Sequence, residues 1–434
     1  MSVRALGRTN TFTTSSPFPL QKAKEYMGSK FYRTTREIQN NTTLNRATLE
    51  LLGADLPSTF TELVGRNWKT AVEVAFRITL YLLAAFFIPL LFVPVFNKMA
   101  KRKFDLPAQF NKNFSSHFED LLPEKNTKNC NEQFKQKLVK LEGKEKVEEY
   151  LGNDVSSHDQ KVNDYKQKLI KAKSYVVKLD VLFSGLLTYL VPWTQVWFSK
   201  KVLGVVGYTG ELDLLDESQR EQSTQFHEKT KYIKFGLGTL LTIFGSNWYS
   251  DKVYKAATKP NDEIKGSKFM TFLKKNIKQF DYYKQIYANK LNLAGTFLFG
   301  VDAGYLLSCR SLNEIIERVL RLAVAWPTMF FGVEWVNYKL CENHDKKHGS
   351  GLVDYNAPKE LGVRQVKSLE KLEEELHVAE NENNEEKIKL AAGSIKTQVK
   401  NYWYSILLDS LLMGVGLTAA NIIGTKIRVS KGIY

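Results

Sequence analysis

Five ionisable residues sit inside otherwise apolar stretches of this sequence: Asp180, Asp302, Arg321, Glu334 and Asp409. A charge at the centre of a bilayer costs at least about 2.5–3.5 kcal/mol, so each needs a partner or a water-filled cavity. Asp302 is the most central of them, in Gly300-Val-Asp-Ala-Gly304. Its two glycines form a GxxxG face on which another helix can approach closely. Arg321, on the following apolar segment, is the expected counter-charge. Carboxylates in such positions serve proton or ion pathways; the bland alternative is a buried structural pair, or charges that reach out to the interface. Asp180, Glu334 and Asp409 lie near the ends of their segments, which favours the structural reading.

A second group has metal-ligand character. In Cys341-x2-His344-Asp345-x2-His348, the two histidines are four residues apart and share a helix face. With Cys341 or Asp345 they can offer Zn²⁺ three ligands. Lys346, Lys347 and Gly349-Ser350-Gly351 argue instead for a basic loop, and a further ligand has to come from elsewhere. Six histidines in the whole chain are too few for the several histidine boxes of membrane di-iron oxygenases. There is no GxxxxGK[ST], GxSxG or HExxH, so neither phosphate-loop, serine-hydrolase nor zincin chemistry is expected, and no cofactor is implied.

The elements that must position these residues are long apolar segments. Ile78–Phe96 carries no charge, and thirteen of its nineteen residues are Leu, Ile, Val or Phe. Nineteen residues of helix span roughly 28 Å, close to a hydrocarbon core. Those side chains favour insertion by at most about 4–8 kcal/mol. Pro89 and Pro94 predict a kinked span or a hairpin turning at Pro89. Further candidates are Leu179–Phe198, Ile233–Tyr249 (the weakest), Leu291–Ser308, Val319–Tyr338 and Tyr404–Gly424. All seven tryptophans (68, 193, 197, 248, 326, 335 and 403) lie within or beside these segments. An aromatic belt at a membrane interface has this distribution. The expected fold class is therefore all-α, a multi-pass helical membrane protein of about six spans joined by long helical polar connectors.

The 434 residues carry 62 basic and 46 acidic side chains, a formal charge of +16, which suits anionic lipid head groups. The basic stretches contain no recognisable nucleic-acid module. Three scattered cysteines argue against a disulfide framework. Residues 1–24 lack Asp and Glu and read as a disordered tail, or alternatively as an organellar transit peptide. The layout read from the sequence is a polar region over 1–68, a first membrane helix over 69–98 and a basic helical connector over 99–178. Two membrane helices with an acidic connector follow over 179–249, then a basic amphipathic connector over 250–290. A membrane hairpin over 291–338, a charged helical connector over 339–402 and a last membrane helix with a basic tail over 403–434 complete it. Basic flanks, Lys98, Lys101, Arg102 and Lys103 above all, put the connectors 97–178, 250–290 and 339–402 on the cytoplasmic side. Residues 25–70 read as a short helix ending at Gly53 and a turn at Asp55–Ser58; Glu73 and Arg77, four apart, are positioned to pair.

The functional expectation is a non-enzymatic scaffold or membrane-organising protein acting through its connectors. Protein partners are expected at 97–178 and at 359–400, where Val363, Val366, Leu369, Leu372 and Leu376 form a helical stripe. The alternative is a transporter or channel-like protein that uses the intramembrane carboxylates.

Overall fold

The computed structural model describes residues 20–65, 68–204, 217–309 and 312–431. Residues 1–19 of the expected disordered or transit segment 1–24 and the acidic stretch 211–216 lie outside them; residues 20–24 are helical. The described chain is all-α, with one two-stranded hairpin. In order, its helices are α1 (Leu20–Gly28), α2 (Lys30–Asn40), α3 (42–65), α4 (68–103), α5 (Lys128–Glu142), α6 (Lys144–Leu151) and α7 (His158–Lys201). They continue as α8 (Glu217–Thr258), α9 (Lys268–Lys275), the hairpin β1 (Tyr282–Tyr283) and β2 (Tyr287–Ala288), α10 (290–308), α11 (312–348), α12 (Leu369–Asn381) and α13 (Glu385–Lys431).

Four stretches are long and apolar enough to cross a membrane: Ala71–Lys103, Val155–Lys201, Arg318–His348 and Glu385–Gly424. Only 33, 22 and 29 % of the apolar window is buried in the first, third and fourth, against 56 % in the second. A helix of a soluble core hides its apolar face, and this much exposed apolar surface is compatible with an apolar medium around these helices. Six spans were expected. The two segments that fall short are residues 233–249 of α8 and helix α10. The inward face of residues 233–249 carries Gly238, Thr242, Gly245 and Ser246, and that of α10 interleaves Asn292, Gly295, Thr296, Gly300 and Asp302 with its apolar residues. A Cβ on Gly238 would lie 2.3 Å from the Tyr189 ring, and one on Gly245 2.2 Å from Phe299. Meanwhile Leu237, Leu241 and Phe244 of α8 point outward.

Helix α4 runs unbroken through Pro89, so the hairpin alternative does not form. Pro89 has no N–H for the carbonyl of Ala85, and a π-helical turn over Leu83–Phe87 opens the ladder where the ring would press on it. Gly53 likewise does not end a helix. It lies in a π-helical turn, Leu51–Asp55, inside α3, and a Cβ there would meet the backbone of Ser410 in α13 at 3.1 Å.

The chain divides into two compact units. The larger holds Asn41–Phe330 and the chain from Ser410 onward. Its main core joins the two basic connectors: Phe110, Phe118, Phe134, Leu138 and Val147 pack with Tyr165 and Leu169 of α7, Val253 of α8, and Leu273, Ile277 and Phe280. The connectors 97–178 and 250–290 thus form one folded polar head. Asp281 holds it together. Its carboxylate pairs with Lys173 Nζ at 2.6 Å and accepts the Phe118 N–H at 3.2 Å. Lys173 also donates to the Ser116 carbonyl. Both charged side chains are almost fully buried.

The smaller unit joins α1 and α2 to Phe331–Asp409. Tyr32 donates to Glu373 of α12 at 2.6 Å, and Arg36 reaches the same carboxylate at 2.8 Å. The predicted stripe over 359–376 is shortened here. Helix α12 begins only at Leu369, capped by Ser368, while Val366 and Val363 lie in isolated bridges around the positive-φ residues Leu361 and Gly362. Leu369, Leu372 and Leu376 are buried within the unit, so they do not form an outward coiled-coil face.

Candidate functional site

Asp180 lies on α7 where the head meets the apolar part of the helix. Tyr282 of β1 donates its hydroxyl to Oδ2 at 2.7 Å, and Ser184, one turn on, donates to Oδ1 at 3.0 Å. The cavity beside it is lined by Thr43, Ala85, Phe86, Pro89, Asp180 and Ser184 among others, and its volume is about 10 Å³. That is room for about one water molecule.

Asp302 closes a π-helical turn, Phe297–Asp302, in α10. Its partner is Trp326 of α11, whose indole N–H donates to Oδ2 at 2.9 Å. The expected Asp302–Arg321 pair does not form. Arg321 lies five residues before Trp326, more than a full turn away on the same helix, so the two side chains leave α11 in different directions. A double-mutant cycle separates the alternatives. Trp326→Phe strips Asp302 of its donor and is expected to cost about 1–3 kcal/mol. Asp302→Asn should couple to Trp326→Phe by more than 0.5 kcal/mol and to Arg321→Gln by close to nothing. Coupling of the reverse order would restore the original pairing.

Several polar residues of this interior were not legible as membrane-depth groups. Helix α3 is too polar to signal burial in an apolar bundle, yet its Asn45, Arg46 and Asp55 are buried. Asp55, Arg77 and Asp302 are the charges that act on Glu50, and Arg77 also acts on Asp55. Asp55 Oδ2 has no hydrogen-bond partner among the described residues. Glu73 does not pair with Arg77; its Oε1 accepts the Gln195 amide of α7 at 3.1 Å. These groups sit beside the π-helical turns: Asp55 and Asp302 end two of them, and Tyr81 and Trp326 lie just ahead of those at Leu83–Phe87 and Thr328–Gly332. Such turns recur at functional sites because the wider ring frees carbonyls and re-aims side chains.

Asp409 and Glu334 belong to the smaller unit. Asp409 is buried and seated against Gly332, where a Cβ would come within 2.0 Å of its Oδ1. Glu334, two residues on, is half-buried. The glycine leaves the carboxylate the space it occupies.

Cys341, His344 and His348 do not assemble as metal ligands. The Cys341 thiol is buried against Gln398 Oε1 at 3.1 Å and the Asn401 amide at 3.5 Å. The His344 and His348 rings lie against each other at 4.6 Å, and His344 Nδ1 is 2.7 Å from Ser350 Oγ. Among the described residues no group of three His, Cys, Asp or Glu side chains converges on one point. Ser350, His344 and Asp345 have the residue types of a hydrolase triad but not its wiring. Ser350 donates directly to Asp345 at 2.6 Å, so His344 must be the donor at Nδ1 and cannot take the serine proton there. Asp345 also accepts the N–H groups of Leu352 and Val353 at 2.9 and 2.8 Å. The cluster fixes the loop after Gly349.

His117 provides a pH handle on the polar head. Its Nδ1 lies 3.3 Å from Asp281 Oδ2. That hydrogen bond raises the imidazole above its usual range, with desolvation and Lys173 working against it, although most of the ring remains exposed. A raised value stabilises the fold below the unfolded value of about 6.5, and the contribution is lost as pH rises through the folded value. The wild type is therefore expected to be more stable at pH 6 than at pH 8 by a margin that His117→Gln removes. Equal margins in both proteins would show that His117 carries none of it.

No described protein family, curated protein or solved structure matches this chain.

Proposed function

We propose that this chain is a multi-pass integral membrane protein of the scaffold or membrane-organising type. The observation that carries this reading is the way its intramembrane carboxylates are used. Asp180 is held by Tyr282 and Ser184, Asp302 by Trp326 and Glu73 by Gln195, and the cavity at Asp180 has room for about one water. Side chains so engaged tie elements together, and a solute path needs them open. Six segments are proposed to reach membrane depth, with residues 233–249 and α10 packed against α7. The basic flank after α4 supports a cytoplasmic position for the head built from 97–178 and 250–290. Its charged surface, with that of 359–400, is where protein partners would bind.

Two measurements test this. Alkaline carbonate extraction should leave most of the protein with the membranes. In reconstituted vesicles, proton and potassium flux should match protein-free vesicles, while Asp302→Asn lowers abundance or melting temperature. A flux that Asp302→Asn abolishes at normal abundance would reverse the assignment. It would favour a second reading, an ion-coupled transporter, to which Glu50, Asp55, Arg77 and Asp302 around π-helical turns give specific support.

A further inference from the structure

Helix α8 presents an outward apolar face through Leu237, Leu241, Phe244 and Trp248, and the next position on that face is Lys252. The short helix α9 packs where this stripe ends. Its Leu273 and Lys274 turn into the head core, while Phe269 and Phe272 stay exposed. The Phe269 ring stacks on Trp248 at 5.8 Å with an interplanar angle of 18°. Trp248, Phe269 and Phe272 are 46, 43 and 40 % exposed, so three aromatic rings continue the α8 stripe to the edge of the polar head.

The lysines of this region divide by position. Four of those away from the aromatic patch have an acidic partner: Lys255 with Asp251, Lys259 with Glu263, Lys265 with Asp262 and Lys274 with Glu124. Lys268 and Lys275 share the exposed face of α9 with Phe272, following the i, i+4, i+7 rule. Lys252 lies 5.7 Å from the Trp248 ring. Among the described residues none of these three has an ion pair. An aromatic patch with an apolar stripe on one side and unneutralised ammonium groups around it matches the boundary between acyl chains and phosphates.

We propose that Trp248, Phe269 and Phe272 form an interfacial platform on which Lys252, Lys268 and Lys275 bind the head group of an anionic phospholipid. The proposal rests on the membrane reading above and names one of its lipid contacts. The rings occupy the glycerol level, and the three ammonium groups meet the phosphate and any further negative charge of the head group. A neutral zwitterionic lipid satisfies the aromatic part and not the charge.

The test uses the full-length protein in detergent, titrated with fluorescent phosphatidylglycerol and competed with unlabelled lipids. Phosphatidylglycerol is expected to compete at least tenfold better than phosphatidylcholine. Each lysine near a membrane surface is worth on the order of fivefold, so Lys252→Gln/Lys268→Gln/Lys275→Gln should weaken phosphatidylglycerol by at least about tenfold. The charge-matched control Lys255→Gln/Lys259→Gln/Lys265→Gln should stay within about twofold of wild type. Equal losses in the two triples would reduce the effect to net charge and overturn the site, as would equal competition by both lipids. Full displacement by millimolar inorganic phosphate would make it a free-anion site and also overturn it. The single Lys→Gln variants are measured alongside, so a triple that fails to accumulate leaves the comparison intact. Wild-type protein released by carbonate would refute the integral membrane reading itself. Retention in the membrane without lipid selectivity would refute the platform alone.

Discussion

Asp281→Asn is expected to lower stability by about 3–5 kcal/mol. The substitution keeps the shape of the side chain and leaves the Lys173 ammonium buried without a counter-charge, which is the costly way to break an internal ion pair. Lys173 is only 4 % exposed and Asp281 5 %, so water cannot take over the lost interaction. The damage should be local at first. The Phe118 N–H and the Ser116 carbonyl depend on the same pair, so the segment 113–121 should become protease-sensitive before the apolar helices unfold. Removing both charges, as in Lys173→Met with Asp281→Leu, should recover part of the loss, since no uncompensated charge remains. Thermal unfolding in detergent with proteolysis of the head reads both effects. An Asp281→Asn protein within 1 kcal/mol of wild type would mean that the pair does not hold the head together.

The second large effect is expected at Gly300. A Cβ there would lie 2.3 Å from Thr188 Oγ1 and 2.6 Å from the backbone of Gly185. Thr188 can rotate, but the Gly185 backbone cannot move without displacing α7. Gly300→Val should therefore force α10 and α7 apart and cost about 3 kcal/mol or more, at the upper end of overpacking penalties. Gly236→Ala is the matched control. It is also helical, nothing lies within 4 Å of its Cβ position, and it should be neutral or more stable by up to about 1 kcal/mol from helix propensity alone. Comparable behaviour of the two variants would show that the α7–α10 contact is looser than its geometry requires. The pair also discriminates between two uses of glycine in one chain, close approach and simple absence of a side chain.

The helical class, the apolar stretches and the long continuous helices that enter them are legible in the amino-acid pattern alone. The stripe of α7 from Val162 through Leu169 and the run from Glu385 into Tyr404–Gly424 could be read directly, because an apolar run and a 3.6-residue period are local properties. The sequence also pointed to Asp180, Asp302 and Asp409 as buried carboxylates, since a charge inside an apolar run is visible without a fold. What it could not supply was partner identity. Trp326 rather than Arg321 meets Asp302 because direction around α11 decides the contact, and Tyr282 reaches Asp180 from a hairpin more than a hundred residues away. The interior position of Arg46, Asp55 and Glu73 was hidden for a related reason. Helix α3 carries too many polar residues to announce burial, and packing against α13 at Gly53 and the Thr43–Ala288 hydrogen bond place it there; Glu73, on α4, is covered by Gln195 of α7. Pattern fixes which faces are apolar; tertiary contact decides which polar groups those faces enclose and which lysines remain without a counter-charge.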